Sequence, residues 1–230
     1  MNAPTRIAAA VGLLLAGVCA QAADISWSAG PAFNGTSGHL GILTNGSLVE
    51  AVNLKGSAGA ALTVDPGGIN LTFSTVNSSF FNTNYAGATG GGNSDAGWSA
   101  ILSTFEWSSG ADVTGAGFLG GLTAGHDYQV QLFSARNDGC CSRTHWYGDG
   151  NGHLSGALAD NSYVSVVGSF IADASSQTLQ FFDSTHNPYL NAYVLRDLTP
   201  VVPEPGTVVL WLAGLAGLAG ATQRRRRPLG

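Results

Sequence analysis

The side chains most able to do chemistry are concentrated in Arg136-Asn-Asp-Gly-Cys-Cys-Ser-Arg-Thr-His-Trp-Tyr-Gly-Asp-Gly-Asn-Gly-His153. Read as a long loop, this stretch offers Trp146 and Tyr147 to stack on a sugar ring. Arg143, His145 and Asp149 could then hydrogen-bond its hydroxyls, as in ligand sites that a rigid scaffold holds on loops. The competing reading folds the same loop over one end of the domain, with Trp146 as a core plug. Cys140 and Cys141 are adjacent, with Cα atoms about 3.8 Å apart, below the usual range of about 4.4–6.8 Å for bridged cysteines. A vicinal disulfide is nevertheless the one intramolecular bond open to them. Free thiols, a bond between chains and a soft-metal site with His145 are the alternatives. Two thiols and one imidazole fall short of a structural zinc set, so no metal is expected there. Asp149-Gly-Asn-Gly152 could offer oxygen ligands to calcium but lacks a closing glutamate, so calcium has no firm support and no cofactor is expected.

Acid–base chemistry has little to work with. Glu50 and Glu106 are the glutamates between the two chain ends, and each falls in an apparent strand, where alternation puts it on a solvent face. There is no Gly-x-Ser-x-Gly elbow and no His-Glu-x-x-His, so no catalytic residue is named. A second loop, Phe80 to Trp98, carries Tyr85, Gly90-Gly91-Gly92, Asp95 and Trp98. Its glycines make no phosphate cradle, because no Gly-Lys-Ser/Thr follows.

The elements that must position these residues read as β. Residues 47–54, 69–73, 101–107, 128–133, 163–170, 178–182 and 190–195 are apolar runs, several with period two. Turn chemistry separates them at Thr44-Asn45-Gly46, Asp65-Pro66-Gly67-Gly68 and Ala124-Gly125-His126-Asp127. Without a helix of ten residues or βαβ alternation, the pattern predicts an all-β, two-sheet antiparallel β-sandwich, preferably a jelly roll. The cysteine–tryptophan–cysteine framework of immunoglobulin domains is absent. This domain spans 23–200.

The two ends are different. Arg6, the apolar run Ile7 to Val18 and Ala20-Gln21-Ala22 form the ordered parts of a signal peptide, residues 1–22, with cleavage after Ala22. Residues 201–230 form a tail. It begins with Pro203-Glu204-Pro205, continues as an apolar stretch, 207–222, and closes with Arg224, Arg225, Arg226 and Arg227. As a helix that stretch is about 24 Å long at roughly 1.5 Å per residue, a short transmembrane span flanked by snorkelling arginines. The positive-inside rule keeps the arginines cytoplasmic and the domain across the membrane. Pro203 and Pro205 hold the preceding segment extended, the form a processing enzyme can grip. With the targeting ends removed, only Lys55, Arg136, Arg143 and Arg196 remain against thirteen acidic residues. That balance argues against nucleic acid as a partner and is compatible with a sugar surface.

Val202-Pro203-Glu204-Pro205-Gly206, the Gly/Ala/Leu stretch and the arginine cluster resemble the PEP-CTERM sorting signal of Gram-negative bacteria. The resemblance implies an exosortase-type membrane enzyme as partner, which cuts at or near Pro-Glu-Pro. It implies export across the inner membrane, a transient anchor there, and delivery to the cell surface or its exopolysaccharide matrix. It implies no activity for the cargo. Gly121-Leu-Thr-Ala-Gly125 leading into Tyr128–Phe133, with Val167–Ala174 and Leu190–Arg196, is similar to strands of galactose-binding-like or lectin-like sandwiches. Together these readings lead to a non-enzymatic matrix protein that binds extracellular polysaccharide or serves adhesion. A polysaccharide hydrolase or lyase, and a purely structural matrix protein, are the rivals.

Overall fold

The computed structural model describes residues 23–55, 59–88, 91–136, 139–160 and 162–200. The expected signal peptide, Pro-Glu-Pro segment, transmembrane helix and arginine cluster lie outside these residues. Among the described residues no helix is long and apolar enough to cross a membrane.

In chain order the strands are β1 (Ser26–Ala29), β2 (Ser47–Leu54), β3 (Leu62–Val64), β4 (Leu71–Val76) and β5 (Thr83–Ala86). A short helix, α1 (Ala96–Leu102), precedes β6 (Thr104–Trp107), β7 (Val113–Leu119), β8 (Asp127–Ala135), β9 (Thr144–Gly148) and β10 (Leu158–Ala159). The last are β11 (Tyr163–Ile171), β12 (Gln177–Asp183), β13 (Tyr189–Leu190) and β14 (Ala192–Asp197). They form a seven-stranded sheet, β1-β11-β8-β14-β2-β4-β3, a four-stranded sheet, β10-β9-β12-β7, and a three-stranded sheet, β13-β6-β5. From β7 to β9, and again from β11 through β12 to β14, the chain passes between the two larger sheets, which is jelly-roll connectivity. The expected sandwich is what forms. Its pairings are antiparallel except that β2 and β4 run parallel.

Alternation explains the layers. On β8, Tyr128, Val130 and Leu132 face the four-stranded sheet, where they meet Tyr147, Leu179 and Phe181 in one core. Phe133 and Ala135 face the other way. They meet Phe33, Phe73, Trp98, Ile101 and Leu102 in a second core under α1. The large sheet is thus buried on both faces, so its strands read as nearly continuous apolar runs.

Two strand expectations need correction. Ile101 and Leu102 are helical, because Asp95 caps α1: its carboxylate accepts the Trp98 N–H at 2.8 Å. The helix then buries Trp98, Ile101 and Leu102 on one face. Glu106 is on no solvent face. It is 1 % exposed, and both its oxygens accept from the Ser78 N–H, at 3.0 and 3.2 Å. Glu50 is half-buried, and loss of solvent raises its carboxyl above the ordinary value despite hydrogen bonds with Tyr193 and Gly120.

Candidate functional site

The segment 136–153 is not one loop. Residues 144–148 form β9, paired with β12 so that Trp146 lies opposite Phe182 and Tyr147 opposite Phe181. Neighbouring residues on a strand point to opposite faces. Tyr147 therefore faces the core, 1 % exposed, while Trp146 is half-buried on the outer face. The two rings cannot form one platform, and Trp146 is not a core plug. The polar composition hid the strand, because its inward positions are His145 and Tyr147 rather than aliphatic residues.

His145 and Asp149 are fully buried as well. Burial opposes ionisation of Asp149, but hydrogen bonds outweigh it and lower its carboxyl below the ordinary value. Oδ2 accepts from the Ile25 N–H at 2.9 Å and meets His153 Nδ1 at 2.7 Å; Oδ1 accepts from the Asn151 N–H at 2.7 Å and the His153 N–H at 3.2 Å. Asp24, Asp149 and His153 bring ligand-type atoms within 4.8 Å of one another. Asp149 already spends its lone pairs on these donors, so the group reads as a knot tying β1 to the turn after β9.

His145 lies between Ser134 and Asp160. Its Nε2 is 2.9 Å from Ser134 Oγ and its Nδ1 is 3.1 Å from Asp160 Oδ1. The carboxylate fixes the tautomer: Nδ1–H donates to Asp160, and Nε2 accepts the serine hydroxyl. The order serine–histidine–aspartate is that of hydrolase triads. Here Ser134 lies next to the last residue of β8 at 0 % exposure, packed inside the sandwich with the His145 and Tyr189 rings nearby. A nucleophile must reach a substrate, and this hydroxyl is sealed. Burial also pushes the Tyr147 phenol far up, out of range for proton transfer near neutrality.

At its outer end this chain reaches an open pocket of about 650 Å³. The β9–β10 register sets Thr144 opposite Ala159, so the next residues out, Arg143 and Asp160, face each other. Asp160 Oδ2 stands 3.4 Å from Arg143 Nε and 3.6 Å from Arg136 Nη1. Arg143 Nη1 also donates to Thr185 Oγ1 at 3.3 Å. Thr185 is held in turn by Asp183, whose Oδ1 accepts its N–H and hydroxyl, both at 2.7 Å. The opposite wall is the three-stranded sheet. Phe105 and Trp107 share one face of β6, Tyr85 pairs with Phe105 from β5, and Tyr189 pairs with Trp107 from β13. The Tyr85 and Phe105 rings stack at 4.9 Å. The Arg136 guanidinium lies 5.8 Å from the centres of both the Phe105 and Tyr189 rings. Exposed Cys140 and Cys141 are joined by a disulfide and complete the rim.

Of the residues expected from sequence, only Arg143 and the cysteine pair line this pocket. His145 supports it from behind through Asp160. Trp146, Tyr147 and Asp149 lie elsewhere. Sequence reading missed Tyr85, Phe105, Trp107, Arg136 and Asp160. The aromatic pair at i and i+2 in Phe105-Glu106-Trp107 was the one local signal.

Residues 201–227 match the PEP-CTERM protein-sorting motif. The chain therefore carries the mark of an exported protein that exosortase sorts to the cell envelope or surface. No curated protein sequence matches the chain. Among solved structures it is similar to Bacteroides uniformis beta-glucuronidase 2, covalently bound to cyclophellitol-6-carboxylate aziridine. The likeness has 13% identity and a TM-score of 0.46, over 64% of this chain and 17% of that one. The chain thus spans a small part of that protein's length, and so slight a likeness carries no argument about chemistry.

Proposed function

We propose that the protein is a non-enzymatic carbohydrate-binding sandwich of the cell surface or extracellular matrix. In this reading a Gram-negative cell exports it, the tail anchors it briefly in the inner membrane, and exosortase processes it near Pro203–Pro205. It then serves adhesion or matrix cohesion by holding exopolysaccharide. The pocket carries the proposal. Half-buried Tyr85 and Trp107 offer flat rings to the C–H faces of a sugar, and Arg136, Arg143, Thr185 and Asn187 offer polar groups around them. Its volume falls within the roughly 300–1,000 Å³ usual for small-molecule sites.

Binding is favoured over hydrolysis by one observation. Among the described residues the lining holds no aspartate or glutamate, whereas glycoside hydrolysis uses a carboxyl pair flanking the bond. The test is a Trp107→Ala variant assayed on a panel of extracellular polysaccharides. The expected result is retention of wild-type protein and loss of at least about tenfold in affinity for the variant, with little change in thermal midpoint. Equal binding by both proteins would remove the pocket from the reading. Shortening of the polysaccharide by wild-type protein would favour the hydrolase or lyase instead.

A further inference from the structure

We infer that the sandwich stands on its tail: the processing enzyme works at one end of the domain, the pocket opens at the other, and polysaccharide is captured while the tail is still attached. The inference rests on the readings of the pocket as a carbohydrate site and of the tail as a processing signal, and it adds their order.

Hydrogen bonds fix where the tail leaves. The Leu198 N–H donates to the Asp127 carbonyl at 2.8 Å, and Thr199 Oγ1 accepts from the Asp127 N–H at 2.9 Å. Asp197 reinforces this clasp: Oδ1 accepts from the Thr199 N–H at 2.8 Å, and Oδ2 meets His126 Nδ1 at 2.7 Å. The chain is thus held to the first residue of β8 as it leaves the sheet. Ala23, the first residue after the expected signal peptide, is held at the same end. Its N–H donates to Gln177 Oε1 and its carbonyl accepts from Gln177 Nε2, both at 2.9 Å, and Gln177 is the first residue of β12. The turns that lead into β8 and β12 are joined to each other as well. The Leu122 N–H donates to the Ser175 carbonyl at 3.1 Å, and the Gly125 N–H to the Ala172 carbonyl at 2.7 Å. Ala23 and Thr199 therefore both lie where β8 and β12 begin.

The pocket lies where the same two strands finish. Arg136 follows the last residue of β8, Thr185 and Asn187 lie just past the last residue of β12, and all three line it. The strand from Asp127 to Arg136 is about 30 Å long at roughly 3.3 Å per residue. The reach of the tail is much shorter. Pro203 is four residues beyond Thr199, and four residues span at most about 14 Å in any conformation. An enzyme that grips Pro203–Pro205 works against the entry turns of β8 and β12, with the pocket the length of the domain away. A pocket so placed is open to polymer while the chain is still anchored. Capture before release leaves the cut protein no free interval in which to diffuse from the matrix.

The experiment places the exported, uncut chain in proteoliposomes, with and without the processing enzyme. The probe is labelled exopolysaccharide from the producing cell. The anchored chain is expected to bind it within about threefold of the affinity of released protein. Saturating polysaccharide is expected to leave the rate of tail removal within about twofold. Ser109→Cys and Ser175→Cys each supply an exposed thiol for biotin and then streptavidin. Ser109 is beside the pocket, since the neighbouring Gly110 N–H donates to Asn187 Oδ1 at 3.2 Å. Ser175 is in the turn before β12, at the tail-bearing end. Streptavidin on Ser175 is expected to slow tail removal at least about tenfold and to spare binding. On Ser109 it is expected to do the reverse, and each variant without streptavidin controls for folding. Polysaccharide that blocks tail removal or binds only after it, or streptavidin that slows cutting equally from both positions, overturns the inference and leaves both readings standing. Absence of binding by uncut and released protein alike overturns the carbohydrate reading and the inferred order with it. A tail that the enzyme leaves intact overturns the processing reading and the order likewise.

Discussion

The two halves of the polar segment 136–153 are put to opposite uses. Around Asp149, the segment turns inward, and both carboxylate oxygens are filled by donors from Ile25, Asn151 and His153. Around Arg143, it stays at the surface, and buried polar atoms are left short of hydrogen bonds. A buried polar group with every lone pair answered is a structural device, because adding a ligand would mean losing bonds already made. Behind the rim of the pocket, Arg143, Asp160 and Asp183 are held by longer ion pairs, with buried atoms that make no hydrogen bond. Residue type alone does not separate the two cases. The state of satisfaction does.

The largest effect that could break this contrast is at Asp149. Replacing it by Asn places an amide beside N–H donors that require an acceptor, and hydrogen bonds to a charged group contribute about 1.5–3 kcal/mol each, without full additivity. The expected loss at neutral pH is about 3–4 kcal/mol by denaturant unfolding, with polysaccharide affinity per folded molecule unchanged. The pH dependence has a definite sign. The folded carboxyl lies below its ordinary value of 3.8, so its contribution is complete above that pH and is lost as pH falls through the folded value. Asp149→Asn should therefore lose less stability than wild type on acidification below about pH 4. Asp197, also lowered against the opposing effect of burial by its bonds to His126 and Thr199, leaves both proteins some acid sensitivity. An affinity loss in folded Asp149→Asn would show that the knot is functional after all.

Trp146 sharpens the comparison at intermediate size. It is half-buried on the outer face of β9 beside Phe182, so removing its ring opens no enclosed cavity. Trp146→Ala should cost about 1–2 kcal/mol, less than the roughly 3–5 kcal/mol of emptying a buried aromatic site. Polysaccharide affinity should not change. A fall in affinity as large as that expected for Trp107→Ala would return the outer face of the small sheet to consideration as the binding surface.

The fold was legible where chemistry and period agree. β2, β8, β11, β12 and β14 stand out because β-branched and aromatic residues fill their inward positions. β7 does not, since Val113-Thr-Gly-Ala-Gly-Phe-Leu119 looks like a turn. Its Gly115 is required by packing: a Cβ there would lie 2.9 Å from the Phe118 ring. β9 was masked by its buried histidine and tyrosine, whose partners Ser134 and Asp160 are distant in sequence from one another. The pocket was harder still. Tyr85, Trp107, Arg143 and Thr185 come from four separate segments, and only the register of the small sheet and the β9–β10 pairing bring them together. Arg143 and the cysteines were visible because they sit in an unusual polar run; the aromatic wall facing them left only the Phe105–Trp107 spacing.

The smallest expected effect on stability concerns the cysteine pair, and it separates shape from stability. A disulfide stabilises chiefly by restricting the unfolded chain, in proportion to the logarithm of the loop it closes. Cys140 and Cys141 are neighbours, so the bond closes almost no loop. Both residues are exposed, and Cys141 takes a φ of 64° in the left-handed region, which a side chain rarely adopts. The bond's effect is therefore local: it holds the backbone of the exposed rim at residues 140–142, next to Arg143. Replacing both cysteines by Ser should change unfolding stability by less than about 1 kcal/mol. The freed turn is expected to weaken polysaccharide binding about three- to tenfold, through added ordering cost at the rim. Mild reduction of wild-type protein should reproduce that loss, and reoxidation should restore it. If the double variant binds as wild type does, the disulfide has no part in shaping the pocket, and the rim's contribution rests on the arginines alone. If it unfolds readily, the rim belongs with Asp149 among the structural devices, and the division between the two halves of the segment fails at its outer end.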